Sequence, residues 1–281
     1  MIKKLLQKRK ENKKVFAFND RIRLGDGVFD TMLVIVKKNE QGLLNASNLF
    51  PDIHFARLLE NAQSIGINAN DLPSEQELEK TMLELEEKTP LDIGRYALNT
   101  IITRGQAKRG LMPPIDCTPT IEMRLSPAPD SFPDIQAIIS KTVKRNEGSP
   151  LSRIKSCNYG DNIMALIEAR DQGANEAILT NNKGFITCAS AGNIFFCINN
   201  QLVTPPLSDG VMDGVTRKLA IEKYNVTQRS ITEDDLINAH GIYITNSIRG
   251  AMHVSSLNGK PLPEPSIKID KDFHITWHSK L

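Results

Sequence analysis

The stretch Lys155–Arg217 places the strongest constraint on how this chain of 281 residues folds. Behind the lysine, apolar residues at helical spacing predict a helix over 161–171, which Gly173 ends. The next residues predict two strands joined by a turn at 181–184. A glycine-containing segment at 210–214 then opens a second helix. The stretch therefore predicts a compact α+β unit with an amine at one end and the free N–H groups of a helix start at the other.

The remaining patterns divide the chain into two parts. Three prolines in the segment 126–133 favour an extended connection over a helix or a central strand. We therefore expect a small α/β domain at 1–125, a linker at 126–133 and a larger, strand-rich domain at 134–281. The predicted strands are 15–18, 32–36, 95–104, 135–140, 177–180, 185–187, 193–198, 202–204 and 241–245. The predicted helices are 51–65, 74–88, 161–171 and 215–224.

Two of these helices carry patterns that the structure can test. Ser74 and Glu77 have the spacing of a capping box at a helix start. Along the helix at 161–171, Ile163, Leu166 and Ile167 are expected to face the core.

Composition narrows the class of protein. The hydrophobic share is 40%, the charged share is 24% and the net charge is +2, which gives no overall attraction to nucleic acid or membrane surfaces. The basic residues at 3–14 are interpreted as a solvated terminus. The sequence contains no apolar run long enough to span a membrane and no secretory signal pattern. The four cysteines lack metal-ligand spacing, so we expect no metal, reduced thiols and a cytoplasmic protein.

Four separated motifs then point to one family. They are G-D-G-V-F-D-T at 25–31, H-F-A-R-L at 54–58, T-R-G-Q-A-K-R-G at 103–110 and the stretch Lys155–Arg217. In this order they resemble the class IV pyridoxal-phosphate (PLP) enzymes. The resemblance implies a two-domain, D-amino-acid aminotransferase-like fold (fold type IV), a homodimer, a small-molecule substrate and PLP bound between the domains. The motif T-N-S-I-R-G-A at 245–251 is most similar to that of 4-amino-4-deoxychorismate lyase, an enzyme of folate synthesis.

The resemblance makes Lys155 the residue that binds the PLP aldehyde covalently. This chemistry requires an amine that is neutral near pH 7, and burial favours the neutral form. Once a substrate amine replaces it, Lys155 is free to move protons as a general base and acid. The alternative is an ordinary surface lysine. Tyr159 is expected to hydrogen-bond the O3′ atom of the cofactor and Asn158 to brace the loop, although either position also suits a satisfied core polar group.

Three groups of residues are expected to hold the cofactor phosphate. Arg57 lies on a helix face, where its guanidinium can fork onto two oxygens or form a surface ion pair. At the helix start after Gly214, free N–H groups favour an anion, and the alternative is an ordinary helix cap from Asp213 or Thr216. The third group is Asn246 and Ser247 at the end of a strand. The alternative is that these two residues form an ordinary turn. The predicted phosphate ligands are Arg57, Gly214, Val215, Thr216, Asn246 and Ser247.

Substrate contacts are expected from loops of the first half. Thr31 is predicted to line the substrate entrance, after a tight turn at Gly25 and Gly27 that needs a positive φ. Arg104 and Arg109 are candidates for a substrate carboxylate, because chorismate-type substrates carry two carboxylates. A solvated loop is the alternative for both arginines.

Cys188 departs from the family pattern, which has a glutamate against the pyridine nitrogen of PLP. A carboxylate there keeps that nitrogen protonated and makes the ring a strong electron sink. A neutral thiol leaves that nitrogen unprotonated and makes the ring a weaker electron sink. Amino transfer depends on this electron sink more strongly than an elimination does when the elimination forms an aromatic ring. We therefore expect a lyase acting on 4-amino-4-deoxychorismate, with an aminotransferase for branched-chain or D-amino acids as the alternative and a member with weak or lost activity as the third.

Overall fold

A four-stranded antiparallel sheet forms the first half of the protein. The computed structural model describes residues 16, 17 and 19–278, so the basic segment at 3–14 lies outside the described residues. Of the predicted strand at 15–18, residues 16 and 17 are described and are not in a strand. The sheet has the order β2-β1-β3-β4. Its strands are β1 (Gly27–Lys38), β2 (Leu44–Asn48), β3 (Gly94–Thr103) and β4 (Thr120–Ala128).

Two helices cover one face of this sheet. They are α1 (Pro51–Ser64) and α2 (Glu75–Lys88), and Ser74 with Glu77 forms the predicted capping box at the start of α2. Met32 and Val34 of β1 pack against the helices. Leu33, on the opposite face of the same strand, packs in a second cluster with residues of the C-terminal half. Because both faces of β1 are buried, its sequence is an almost continuous apolar run rather than an alternating one.

The second half contains a nine-stranded mixed sheet that closes on itself. Its path is β10-β9-β8-β11-β12-β5-β6-β7, and β7 also pairs with β8, so that β8, β11, β12, β5, β6 and β7 form a closed barrel. The strands are β5 (Ile135–Arg145), β6 (Glu176–Asn181), β7 (Ile186–Ala189), β8 (Gly192–Ile198), β9 (Gln201–Thr204), β10 (Thr227–Gln228), β11 (Ala239–Asn246), β12 (Gly250–Leu257) and β13 (Lys260–Pro261). The helices are α3 (Gly160–Asp171), α4 (Val215–Tyr224) and α5 (Phe273–His278).

The predicted inward face of α3 is wrong. Ile163 is 55% exposed and Leu166 is 37% exposed, whereas the small residues Ala165 and Ala169 are fully buried. The helix lies against β5 and β6. Its small residues allow the close approach to the sheet, so the bulky residues are turned outward.

The predicted connection at 126–133 begins later than expected. Residues 126–128 continue β4 and pair with residues 95–97 of β3. Pro127 is compatible with this position because β4 is an edge strand, where a missing N–H group breaks no ladder between two strands. The chain therefore passes from the first sheet to the second over residues 129–134. Within the described residues, no helix has the length and apolarity to cross a membrane.

Candidate active site

A cavity of about 240 Å³ gathers most of the predicted site residues. It lies where β1, the segment before α3, the turn between β7 and β8, the start of α4 and the end of β11 meet. The predicted residues that line it are Thr31, Arg57, Lys155, Tyr159, Cys188, Gly214, Val215, Thr216, Asn246 and Ser247. These residues are far apart in the sequence, so the closed barrel and its contact with β1 bring them together.

Lys155 is held at the junction of the two sheets. Its carbonyl accepts the N–H of Phe29 at 2.9 Å, and the N–H of Cys157 donates to the Gly27 carbonyl at 2.9 Å. The Nζ atom donates to the Tyr159 hydroxyl at 3.0 Å and lies 4.2 Å from the centre of the Phe29 ring. The Phe29 and Tyr159 rings are in edge contact. These contacts aim a half-buried amine into the cavity from a fixed position.

Gly214 is the N-cap residue of α4, and among the described residues no side chain accepts from the first N–H groups of this helix. Asp213, the alternative cap, pairs instead with Arg217 and Lys218, each at 3.2 Å. A side chain at Gly214 would overlap the Asn193 amide oxygen. The glycine therefore preserves a buried cradle of N–H groups and a positive dipole end, which favours an anion.

Arg57 lines the cavity, but its fork is directed at a protein carboxylate. Its Nε and Nη2 atoms donate to both oxygens of Asp30 at 2.7–2.9 Å, and His54 Nδ1 lies 2.7 Å from the same group. Burial alone would raise the pKa of Asp30, but the charges of Arg57 and His54 hold it well below its usual range. Only Nη1, which donates to the Asp213 carbonyl at 3.3 Å, lies outside this fork. The predicted two-oxygen fork onto phosphate is thus engaged by Asp30.

The end of β11 supplies the opposite wall. The Asn246 amide accepts the N–H groups of Ile248 and Arg249 and donates to the Ala191 carbonyl at 2.9 Å, so it braces the loop around Ser247. Sequence reasoning missed Thr245. Its hydroxyl is buried in the cavity wall without a hydrogen-bond partner among the described residues. Its position directly before the Asn-Ser pair is the signal that was available in the sequence.

The structure does not bring Arg104 or Arg109 into this cavity. Arg104 is buried and donates to Asp26 at 2.9 Å, to the Gly66 carbonyl at 2.9 Å and to the Ile65 carbonyl at 2.5 Å. All its nitrogens are thereby engaged, because the acidic residue of the G-D-G motif lies beside it. Arg109 is exposed and is not a lining residue. Neither arginine is therefore in the predicted position for binding a substrate carboxylate in this cavity.

The G-D-G turn is built around one left-handed residue. Gly25 has φ of 70°, whereas Gly27 is extended and opens β1. Asn158 donates its amide N–H to the Gly25 carbonyl at 3.0 Å, so it braces the loop, as expected. The turn thereby positions the segment that carries Lys155.

Cys188 lies in the cavity wall and is 8% exposed. The Thr187 hydroxyl, which donates to the Leu179 carbonyl at 2.9 Å, lies 3.7 Å from the Cys188 sulfur. Burial raises the pKa of the Cys188 thiol, so the group is neutral at physiological pH. The wall at this position therefore presents a small, uncharged side chain rather than a carboxylate.

Together, a confined lysine amine and a helix start without a side-chain cap in one cavity suit an anionic molecule that can react with an amine. The family model described as Amino-transferase class IV matches residues 27–257. The chain belongs to this family, and the prediction of a class IV, PLP-dependent enzyme is confirmed.

Relatives include both kinds of enzyme. A "Putative branched-chain-amino-acid aminotransferase" of Methanocaldococcus jannaschii is 28% identical and covers 95% of this chain and 94% of its own. A "Bifunctional aminodeoxychorismate lyase / D-amino acid transaminase" of Mycobacterium tuberculosis is 23% identical over 86% of both chains. The crystal structure of a "Putative 4-amino-4-deoxychorismate lyase" from Legionella pneumophila has a TM-score of 0.80 and 26% identity, over 96% of both chains.

Proposed function

We propose that this protein is a lyase that converts 4-amino-4-deoxychorismate to 4-aminobenzoate and pyruvate for folate synthesis. The observation that carries the proposal is the neutral thiol of Cys188 in the cavity wall. A reaction driven by formation of an aromatic ring tolerates a weak electron sink better than amino transfer does. The lyase named among the structural relatives supports the same choice.

The residues of the cavity fit PLP. The uncapped N–H groups at Gly214, Val215 and Thr216 suit its phosphate, and the unpaired hydroxyl of Thr245 is a further donor in the same wall. Lys155 is the amine that would bind its aldehyde. When bound, PLP would hold the substrate amine covalently and withdraw electrons from the carbon that bears it.

The reaction then needs one group that moves protons. Lys155 takes the proton from the amine-bearing carbon, and the Tyr159 hydroxyl, 3.0 Å from Nζ, orients the amine for this transfer. As that proton leaves, the C–O bond at the neighbouring carbon breaks and the ring becomes aromatic. The enolpyruvate oxygen departs with the electron pair, and protonation converts it to pyruvate.

A direct assay tests the proposed reaction. Protein loaded with PLP is incubated with 4-amino-4-deoxychorismate, and 4-aminobenzoate and pyruvate are measured in parallel. We expect equal amounts of the two products. Loaded protein that releases neither product would disprove the lyase. The bifunctional relative makes amino transfer the second candidate. Conversion of the bound cofactor to its amine form by a D-amino or branched-chain amino acid, without lyase activity, would identify an aminotransferase.

The cradle at Gly214 gives a separate prediction. Gly214→Ala is expected to weaken PLP binding by at least about tenfold, because the added methyl overlaps Asn193 and displaces the N–H groups. Gly160→Ala is the matched control, since Gly160 also begins a helix but a Cβ there meets no atom within 4 Å. Titration with PLP, followed by absorbance, measures both. Equal affinities in the two variants would show that the helix start of α4 does not bind the phosphate.

We also propose that the protein is a cytoplasmic homodimer. The outward face of α3 and the turn before it expose Leu151, Ile163, Met164 and Leu166, and a second copy is the partner proposed to cover them. The four free cysteines suit a reducing compartment. Light scattering is expected to give twice the chain mass of 31.3 kDa, and Ile163→Asp is expected to shift the protein toward monomer. A wild-type monomer at micromolar concentration would contradict this proposal.

A further inference from the structure

Arg145 is a cationic cavity residue that the proposed reaction does not use. It is the last residue of β5 and lines the cavity. Its Nη2 atom donates to the Ser152 carbonyl at 2.5 Å. Its Nε atom is buried and has no hydrogen-bond partner within the described part of the chain. A buried N–H donor without a partner costs free energy, which indicates that a bound molecule supplies the acceptor.

The strand register places Arg145 and Cys188 on one face of the sheet. Arg145 pairs with Asn181 of β6, and Leu179 of β6 pairs with Cys188 of β7. Residues 179 and 181 are two positions apart and so share one face of the sheet. Arg145 and Cys188 therefore lie on this same face, two strands apart, and both reach the cavity.

One carboxylate also lies near this wall, but its acceptors are engaged. Glu176 is 2% exposed. Its Oε1 atom accepts the N–H groups of Ala177 and Ser190 and the Ser190 hydroxyl. Its Oε2 atom lies 3.8 Å from Arg249. Glu176 therefore braces the loop after β7, while Arg145 keeps an unpartnered donor next to Cys188.

The chemistry of the cofactor identifies what this donor meets. In PLP the ring nitrogen lies opposite the carbon that carries the aldehyde, so it points away from the lysine that binds the aldehyde. We propose that Arg145 faces this nitrogen, with the thiol of Cys188 beside it, and keeps it unprotonated. This inference rests on PLP binding in the proposed function, but it does not depend on which reaction follows.

Two effects of Arg145 act in the same direction. A guanidinium N–H donates to the lone pair of an unprotonated pyridine nitrogen, and a nearby positive charge disfavours the pyridinium ion. The Cys188 thiol supplies no compensating negative charge. The ring is therefore held as a weak electron sink by a cation, and not merely through the loss of a carboxylate. A glutamate at position 188 would meet Arg145 and form an ion pair with it.

Nitrogen NMR tests the assignment. Wild-type protein, Arg145→Gln and Arg145→Lys are loaded with PLP labelled with nitrogen-15 in the ring, and the ring signal is followed against pH. We expect an unprotonated nitrogen at pH 7 in the wild type. In Arg145→Gln the protonation midpoint should rise by about one unit or more, and Arg145→Lys should remain near the wild type because it keeps the charge. Far-ultraviolet circular dichroism and the PLP content confirm that each variant is folded and loaded.

Three results would overturn the assignment. They are a protonated wild-type nitrogen at pH 7, an unchanged midpoint in Arg145→Gln, and equal shifts in the Gln and Lys variants, which would indicate a structural effect of the lost bond to Ser152. A different result would disprove the lyase proposal. Loaded protein that shows the expected nitrogen signals but releases no 4-aminobenzoate disproves the lyase alone, whereas protein that takes up no PLP disproves both.

Discussion

Lys155→Ala is expected to remove covalent cofactor binding and to lower kcat/KM by about a thousandfold or more. The variant loses the amine that binds the aldehyde and also the group that moves the proton, and a general acid–base group alone contributes about 10²–10⁴-fold. Borohydride reduction followed by mass spectrometry provides a readout that does not depend on activity. The cofactor mass should appear on the peptide carrying Lys155 in the wild type and be absent from the variant.

Lys141→Ala is the matched control, because Lys141 is an exposed lysine on β5 that does not line the cavity. It should retain both the adduct and the activity. Tyr159→Phe separates positioning from chemistry: it keeps the ring contact with Phe29 but loses the hydroxyl 3.0 Å from Nζ. We expect it to retain the adduct and to lose part of kcat. A full adduct in Lys155→Ala would show that another amine binds the cofactor.

Asp30→Asn is expected to lower the free energy of unfolding by about 3–5 kcal/mol, because it leaves the Arg57 charge buried without its counter-ion. Asp30 is 3% exposed and Arg57 is 7% exposed, so water cannot replace the lost partner. A loss of this size is a large fraction of the free energy of unfolding of a typical domain, which is about 5–15 kcal/mol. Urea unfolding of the cofactor-free protein measures the change.

Asp171→Asn is the control, since Asp171 pairs with Arg170 at the surface, where both side chains are more than 60% exposed. That pair is worth about 1 kcal/mol or less. Similar losses in the two variants would show that the Asp30 pair does not hold the wall of the cavity.

The same pair gives the pH dependence a defined sign. Because the folded-state pKa of Asp30 is lowered, its contribution is complete above the ordinary aspartate pKa of about 3.9 and is lost as the pH falls toward the folded-state value. The difference in stability between wild type and Asp30→Asn should therefore decrease as the pH falls below about 4. A difference that does not decrease in this acidic range would assign the effect to another group.

Local patterns predicted the parts of the site that depend on neighbours in the sequence. The roles of Lys155 and Tyr159 were predicted from the family resemblance, but the helix start at Gly214 was readable from the local pattern, and Gly214 opens α4 there. Such features depend on backbone hydrogen bonds and side-chain spacing within one turn, and these are readable from a few consecutive residues. The same holds for the capping box at Ser74.

Partner choice among three arginines was not readable in this way. Arg57 forks onto Asp30, whereas Arg104 donates one N–H to Asp26 and others to backbone carbonyls. Arg145 keeps a buried N–H donor without a partner among the described residues. For Arg57 and Arg104, the outcome depends on which carboxylate shares the same buried space. Desolvation makes an unpaired buried charge costly, so a nearby carboxylate in the folded chain pairs with each of these two guanidinium groups.

The sequence by itself determined the family and most of the strands and helices, and it predicted Lys155, the helix start at Gly214 and Cys188 as site residues. Only the tertiary structure decided which face of α3 is buried, which arginines reach the cavity and that Arg145 and Cys188 share one face of the sheet. The physical reason is the range of the interactions. Helix starts and turns are set by adjacent residues, whereas the surroundings of Cys188 arise from three strands whose register is established only when the barrel closes.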